Sequence, residues 1–71
     1  MNRPPTLYAR CLLVAIKHAD TFSVMAILRG VNSDGHEQAG VMQVKKTLDR
    51  MQRNGLLVRK ALGVFAWKHE P

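Results

Sequence analysis

The chain has 71 residues, of which 46% are hydrophobic and 23% are charged. A chain of this length buries only about 60% of the surface that it exposes when unfolded. We therefore expect a single, marginally stable globular domain over residues 1–71 rather than a disordered segment. The formal net charge of +6 favours an anionic partner, with nucleic acid ahead of an anionic membrane surface. A basic surface that only keeps the protein soluble is the alternative.

Cysteine content and hydropathy indicate the compartment. Cys11 is the only cysteine, so no disulfide can form within the chain, and we expect a reducing, cytoplasmic location. The same residue lies among apolar neighbours and is predicted to pack as a small hydrophobic side chain rather than to act as a reactive thiol. No signal peptide is expected, because the apolar run follows two prolines and lacks a small-residue cleavage site. This run, residues 7–19, is too short and too interrupted to span a bilayer, so no membrane partner is expected.

The first predicted helix follows a proline-containing arm. Residues 1–5 are expected to form a flexible arm, and Thr6 is the predicted N-cap of a helix from Leu7 to residue 18 or 19. Its polar face comprises Arg10, Lys17 and His18, and its predicted core face comprises Tyr8, Cys11, Leu12, Ala15, Ile16 and Ala19. Three further apolar residues lie off the core face, namely Leu7, Leu13 and Val14. Either the chain ends cover them or they form a homodimer contact.

A second helix and a long loop come next. Ser23 is the predicted N-cap of a helix that covers about Val24 to Arg29 and ends at Gly30. Residues 31–40 are polar and are predicted to form a loop. A third helix is favoured to start near Gly40, because glycine inside a helix costs about 1 kcal/mol relative to alanine. The spacing of an aspartate at 34 and a glutamate at 37 leaves a start near residue 35 as the alternative.

The most informative stretch is residues 41–68. Val44, Leu48 and Met51 share one helical face, and Asn54-Gly55 is predicted to end the helix. Two β-prone runs, 56–60 and 64–68, surround a glycine-containing turn and predict a hairpin. From residue 41 onward seven cations stand against two carboxylates, and these nine residues are Lys45, Lys46, Arg50, Arg53, Arg59, Lys60, Lys68, Asp49 and Glu70. The basic helix thus continues directly into a basic hairpin, with residues 69–71 as a tail.

The order of these elements resembles a known family. A helix followed by NGLLVR (54–59), a turn and GVFAW (63–67) is similar to the second half of a winged helix-turn-helix domain, and the resemblance covers residues 6–68. It implies a mostly α (α+β) fold with three helices and a C-terminal two-stranded β-hairpin, the wing. It also implies that residues around Thr21-Phe22 form a short strand that pairs with the wing. The predicted core comprises Leu12, Ile16, Ile27, Val44, Leu48, Met51 and Trp67; stacking of the tryptophan on a base is the alternative.

The resemblance implies a small DNA-binding protein, a transcriptional regulator, whose third helix enters the major groove of double-stranded DNA. Base edges or flanking phosphates would be contacted by Gln43, Lys46 and Arg50, and phosphates at the groove edge by Lys45 and Arg53. Arg59 and Lys60 of the wing would reach the backbone or the minor groove.

Other functions are less well supported by the sequence. The histidines at 18, 36 and 69 are far apart and have no metal-ligand spacing with Cys11, so no metal, cofactor or catalytic residue is expected, and the chain is not expected to be an enzyme. A protein-interaction module on the same scaffold is the alternative function, indicated by the apolar first helix and by Met42 on the polar side of the third. A membrane-surface role ranks third.

Overall fold

A computed structural model describes residues 5–18 and 20–68. They form three helices and a three-stranded antiparallel sheet, a mixed α+β fold, in the order α1 (Leu7–Ile16), β1 (Thr21–Ser23), α2 (Val24–Val31), α3 (Val41–Arg53), β2 (Leu57–Ala61) and β3 (Val64–Trp67). None of these helices is long and apolar enough to cross a bilayer. The predicted tail, Ala19 and all but Pro5 of the predicted arm lie outside the described residues.

Side-chain caps start the first two helices, as the sequence predicts. The Thr6 hydroxyl accepts the backbone N–H of Ala9 at 3.1 Å, and the Ser23 hydroxyl accepts that of Ala26 at 3.0 Å. Each bond pairs an amide that would otherwise lack a partner in the first helical turn. The third helix begins immediately after Gly40, so the later of the two predicted starts is confirmed.

Two predicted helix ends are wrong. The first helix ends at Ile16, two or three residues earlier than expected, and the second continues through Gly30 to Val31. A Cβ atom on Gly30 would lie only 2.4 Å from Cγ1 of Val14. Glycine at this position therefore allows α1 and α2 to approach each other closely, rather than ending the helix.

The predicted hairpin is present, but it belongs to a larger sheet. Strands β2 and β3 pair antiparallel around a two-residue turn at Leu62-Gly63, where the glycine has a φ of 73°. Strand β1 pairs with the other edge of β3, which gives the strand order β1-β3-β2. The two-stranded hairpin of the sequence prediction is thus corrected to three strands, and the short strand expected around residues 21–22 supplies the third. Phe22 lies opposite Phe65, and both are buried.

The core lies between the helices and one face of the sheet. Its fully buried members include four predicted residues, Ile27, Val44, Leu48 and Met51. Leu12 and Trp67 are partly buried and pack against this cluster, and the indole lies edge-on to Phe22 with ring centroids 6.1 Å apart. Cys11 is also fully buried, as predicted, and burial raises the pKa of its thiol to about 11.

The orientation of α1 differs from the prediction. Arg10, assigned to the polar face, is only 7% exposed, whereas Ile16, assigned to the core, is 61% exposed. Rotation of the helix to bury Arg10, Cys11 and Ala15 turns Ile16 toward solvent, because these positions lie on different sides of the same helix. The buried guanidinium is accommodated because carboxylate and carbonyl oxygens accept hydrogen bonds from it.

Candidate nucleic-acid interface

The outward side of α3 carries most of the predicted DNA-binding residues. Val44, Leu48 and Met51 bury the opposite side, and Lys46, Arg50 and Arg53 line one surface recess with Asp49. In the part of the chain that the structure describes, Asp49 forms no ion pair within 4.0 Å, so it neutralises none of these cations directly. The six basic residues predicted to contact DNA are all exposed: Lys45, Lys46, Arg50, Arg53, Arg59 and Lys60.

Arg50 is held on the flank of α3 that faces α1. Its guanidinium carbon lies 5.8 Å from the centroid of the Tyr8 ring, a cation–π contact. The same tyrosine hydroxyl accepts a hydrogen bond from the side-chain amide of Asn54 at 3.2 Å. Tyr8 thus ties α1 to the C-terminal end of α3. This contact favours one position of the guanidinium while its donors remain available to a ligand.

Gln43 has a structural role that the sequence analysis missed. Its side-chain oxygen accepts the backbone N–H of Gly40 at 2.8 Å. This bond is the half of a capping box that the third helical residue supplies. The other half is missing because Gly40 has no side chain, so the usual signature with serine or threonine at the N-cap does not occur here. A bidentate pair with adenine needs both the oxygen and the nitrogen of the amide. Gln43 can bind a base in that way only after it releases the helix cap.

The hairpin presents its two cations in different ways. Arg59 lies opposite Phe65 and two positions after the buried Leu57. Because side chains alternate along a strand, Arg59 projects from the sheet face that carries the helices. Lys60 lies where the register between β2 and β3 shifts, as in a β-bulge. Bulges change the direction of the side chains around them, so Lys60 need not follow the alternation.

A polar clamp fixes the loop that leads into α3. The Arg10 guanidinium donates to both carboxylate oxygens of Asp34, at 2.7 and 3.0 Å, and to the carbonyl oxygens of Val31 at 3.0 Å and Glu37 at 2.7 Å. The side-chain amide of Asn32 closes the same loop by accepting the N–H of Ala39 at 2.7 Å and donating to its carbonyl at 3.2 Å. The long polar loop is therefore an ordered connection that sets the position of α3.

The clamp also changes the acidity of Asp34. The hydrogen bonds from Arg10 lower the pKa of this carboxyl from 3.8 to about 2, and the backbone N–H of His36, 2.9 Å from the carboxylate, acts in the same direction. Both interactions favour the charged form. This pair could not be predicted from the sequence, because its members are 24 residues apart and no local spacing connects them.

The predicted dimer residues lie in different environments. Leu7 and Val14 are partly buried and pack against the core, whereas Leu13 is 59% exposed. Ile16 lies three positions further along and is exposed to a similar degree, so the two share the outward side of α1. The apolar surface of this helix is therefore centred on Leu13 and Ile16.

Within residues 5–18 and 20–68, no group of three or more histidine, cysteine, aspartate or glutamate side chains is placed to hold a metal ion. The main features of the candidate interface are thus charge, shape and a fixed helix. Comparison of the chain with models of protein families, with curated proteins and with solved structures gave no match.

Proposed function

We propose that the chain binds double-stranded DNA as a small winged helix-turn-helix protein, with α3 in the major groove and the β2–β3 hairpin as the wing. One observation carries the proposal. Two consecutive elements, α3 and the hairpin, expose six cations, and none of them pairs with a carboxylate within 4.0 Å among the described residues. Cations without protein partners can neutralise phosphates, which supply most of the affinity for DNA.

The dimensions of α3 support this role. Its 13 residues make a helix about 20 Å long and about 10–12 Å across, which fits a major groove about 12 Å wide. The order of elements, with three helices before a hairpin and a short strand paired to it, agrees with the winged helix-turn-helix arrangement. The clamp on the preceding loop fixes the helix before binding, so less ordering is needed in the complex.

Within this proposal the side chains have separate tasks. Lys45, Lys46 and Arg53 neutralise phosphates at the edges of the groove. Arg50 is the candidate for a bidentate contact with guanine, because arginine matches the two acceptors of that base. Arg59 and Lys60 contact the backbone or the minor groove from the wing. A chain with these contacts would act in the cytoplasm as a transcriptional regulator.

A salt titration tests the proposal. Binding to a random duplex, followed by fluorescence anisotropy, should weaken steeply as salt rises, with a slope of about −0.9 per phosphate contact. Lys46→Ala and Arg59→Ala should each weaken binding and flatten the slope by about that amount. Lys17→Ala is the matched control, because it removes one exposed charge from the C-cap position that follows α1 and should leave the slope unchanged.

Two results would contradict the proposal. One is the absence of salt-sensitive binding at low ionic strength. The other is an equal effect of all three substitutions, because net charge alone would then account for the binding.

The exposed apolar surface of α1 favours a second candidate function, a protein-interaction module. Leu13 and Ile16 are both more than half exposed on one side of this helix, and neither belongs to the proposed DNA surface. A homodimer through this surface is compatible with DNA binding and would give two half-sites related by two-fold symmetry. Sedimentation at high micromolar concentration separates the cases, since a monomer excludes the homodimer and leaves the DNA proposal intact.

A further inference from the structure

The tip of the hairpin carries an unusual exposed residue. Leu62 is 84% exposed, more than any other large hydrophobic residue in the described part of the chain. It occupies the first position of a two-residue turn, where its φ is not positive, so the backbone admits most residue types there. The left-handed backbone of this turn is supplied by Gly63, with a φ of 73°. The turn geometry therefore does not account for a leucine at this position.

The tip is anchored to the body of the protein. The carbonyl oxygen of Gly63 accepts the backbone N–H of Val24, the first residue of α2, at 2.9 Å, and Ser23 pairs with Val64. Leu62 is therefore presented from a fixed turn. The bond also brings the N-terminus of α2 next to the turn, and Met25, the second residue of that helix, is 50% exposed.

The cations next to Leu62 indicate the chemistry of the ligand that this residue contacts. Arg59 and Lys60 precede Leu62 by three and two residues, and both are exposed. An apolar side chain directly beyond two cations is suited to a ligand with an anionic exterior and an apolar interior. Double-stranded DNA is such a ligand, because phosphates line each groove and stacked bases lie beneath them.

We propose that Leu62 inserts between base pairs from the minor groove and kinks the duplex, an inference that rests on the proposed DNA binding. Strand β2 has five residues and is about 17 Å long, which is close to half of the about 34 Å helical turn of DNA. A hairpin of this length can extend from a major groove occupied by α3 to the neighbouring minor groove. Leucine is one of the residue types that unstack base steps as minor-groove wedges, and such wedges bend DNA by about 20–90°.

Fluorescence resonance energy transfer across an end-labelled random duplex tests the wedge, with binding followed in the same samples by anisotropy. The unmodified protein should bring the duplex ends closer together. Leu62→Ser should abolish most of this change while the salt slope of binding stays the same, because no phosphate contact is removed. Leu62→Met should retain the bend, since methionine also serves as a wedge.

Leu56→Ala is the control, because it shortens another exposed leucine near the opposite end of β2 and should leave the bend intact. Circular dichroism should show the same melting curve for both Leu62 variants.

The outcomes separate the wedge from DNA binding itself. Binding without a bend, or a bend that survives Leu62→Ser, overturns the wedge and leaves DNA binding established. Absence of salt-sensitive binding overturns both. In that case, binding to anionic phospholipid vesicles that is lost in Leu62→Ser would identify a membrane surface as the partner of the tip.

Discussion

Arg10 and Arg50 are the same side chain on neighbouring helices, and the structure uses them in opposite ways. Arg10 is 7% exposed, and its guanidinium donates to Asp34 and to two backbone carbonyls. Arg50 is exposed, its guanidinium lies over the Tyr8 ring, and it forms no ion pair within 4.0 Å among the described residues. The first arginine has its charge neutralised inside the protein, and the second keeps its charge and donors available.

The difference shows that some basic residues of a small domain stabilise its fold, whereas others remain available to bind a ligand. A buried arginine must have its donors satisfied, and once satisfied it fixes every group that it contacts. The exposed cations of α3 and the hairpin form no ion pair within 4.0 Å among the described residues, so their attraction for an anion is not offset by an internal carboxylate. The loop that Arg10 holds, through Asp34 and Glu37, lies directly before α3 in the chain. Arg10 therefore helps to position the helix that carries Arg50.

The largest expected effect comes from removing the core that both regions share. Leu48 is fully buried on the inner face of α3, and Leu48→Ala should lower the free energy of unfolding by about 2–5 kcal/mol. A domain of this size has little stability to spare, so much of the population should be unfolded at 37 °C. Urea unfolding followed by circular dichroism measures the loss. A stability equal to that of the unmodified protein would show that α3 does not pack on this face.

The two arginines can be compared directly by the same substitution. Arg10→Met should clearly lower the midpoint of thermal unfolding, because it removes the guanidinium that donates to the Asp34 carboxylate and to two backbone carbonyl oxygens. Arg50→Met should change the midpoint little but weaken DNA binding. If Arg50 contacts a base, the loss should be about 1–3 kcal/mol on a preferred site and much smaller on random DNA.

The salt slope completes this comparison. Arg10→Met should keep the slope of the unmodified protein at temperatures where it is folded, because Arg10 reaches no phosphate in the proposed complex. The comparison fails if Arg10→Met lowers the slope as much as Lys46→Ala, or if Arg50→Met destabilises the fold as much as Arg10→Met.

Local signals explain what the sequence could predict. The caps at Thr6 and Ser23 depend on hydrogen bonds between residues that are three positions apart. The positions of α3 and the hairpin follow from hydrophobic periodicity and from the residue types of the turn. The exposure of the cations on α3 follows from the same periodicity, because the apolar residues define the buried face. These features are encoded by neighbours in the chain, so one sequence is enough to place them.

Tertiary contacts explain what the sequence could not predict. Arg10 is buried because the carboxylate of Asp34, 24 residues away in the chain, accepts hydrogen bonds from its guanidinium. A helical wheel contains no information about such a partner and assigns any arginine to the polar side. Ile16 is exposed as a consequence of that rotation. Gly30 was predicted to end α2, but it lies inside the helix, where the absence of a side chain makes room for Val14 of α1. These three errors concern residues whose environment is set by a distant element.

Acid should weaken the clamp in a defined pH window. The pKa of Asp34 is about 2 in the folded protein, against an ordinary value of 3.8. Because the folded pKa is the lower one, the stabilisation is complete above the ordinary value and is lost as the pH falls from about 4 to about 2. Urea unfolding at a series of pH values should show this loss.

Asp34→Asn should lower the free energy of unfolding at pH 7 and remove this part of its pH dependence. The control Asp49→Asn breaks no ion pair among the described residues and should retain this pH dependence. A pH profile of Asp34→Asn identical to that of the unmodified protein would contradict the assignment.

The smallest expected effect concerns Gln43, which belongs to both regions. Its side-chain oxygen caps α3 through Gly40, and its position places it on the proposed DNA surface. Gln43→Glu keeps the accepting oxygen and adds a negative charge near the helix N-terminus, where such charges stabilise by about 0.3–1 kcal/mol. The fold should therefore be as stable as before or slightly more so. DNA binding should nevertheless weaken, because the carboxylate repels phosphate and loses the amide donors that adenine requires. Thermal unfolding and anisotropy on the same preparation distinguish the two effects. Reduced stability with unchanged binding would mean that Gln43 serves the helix alone.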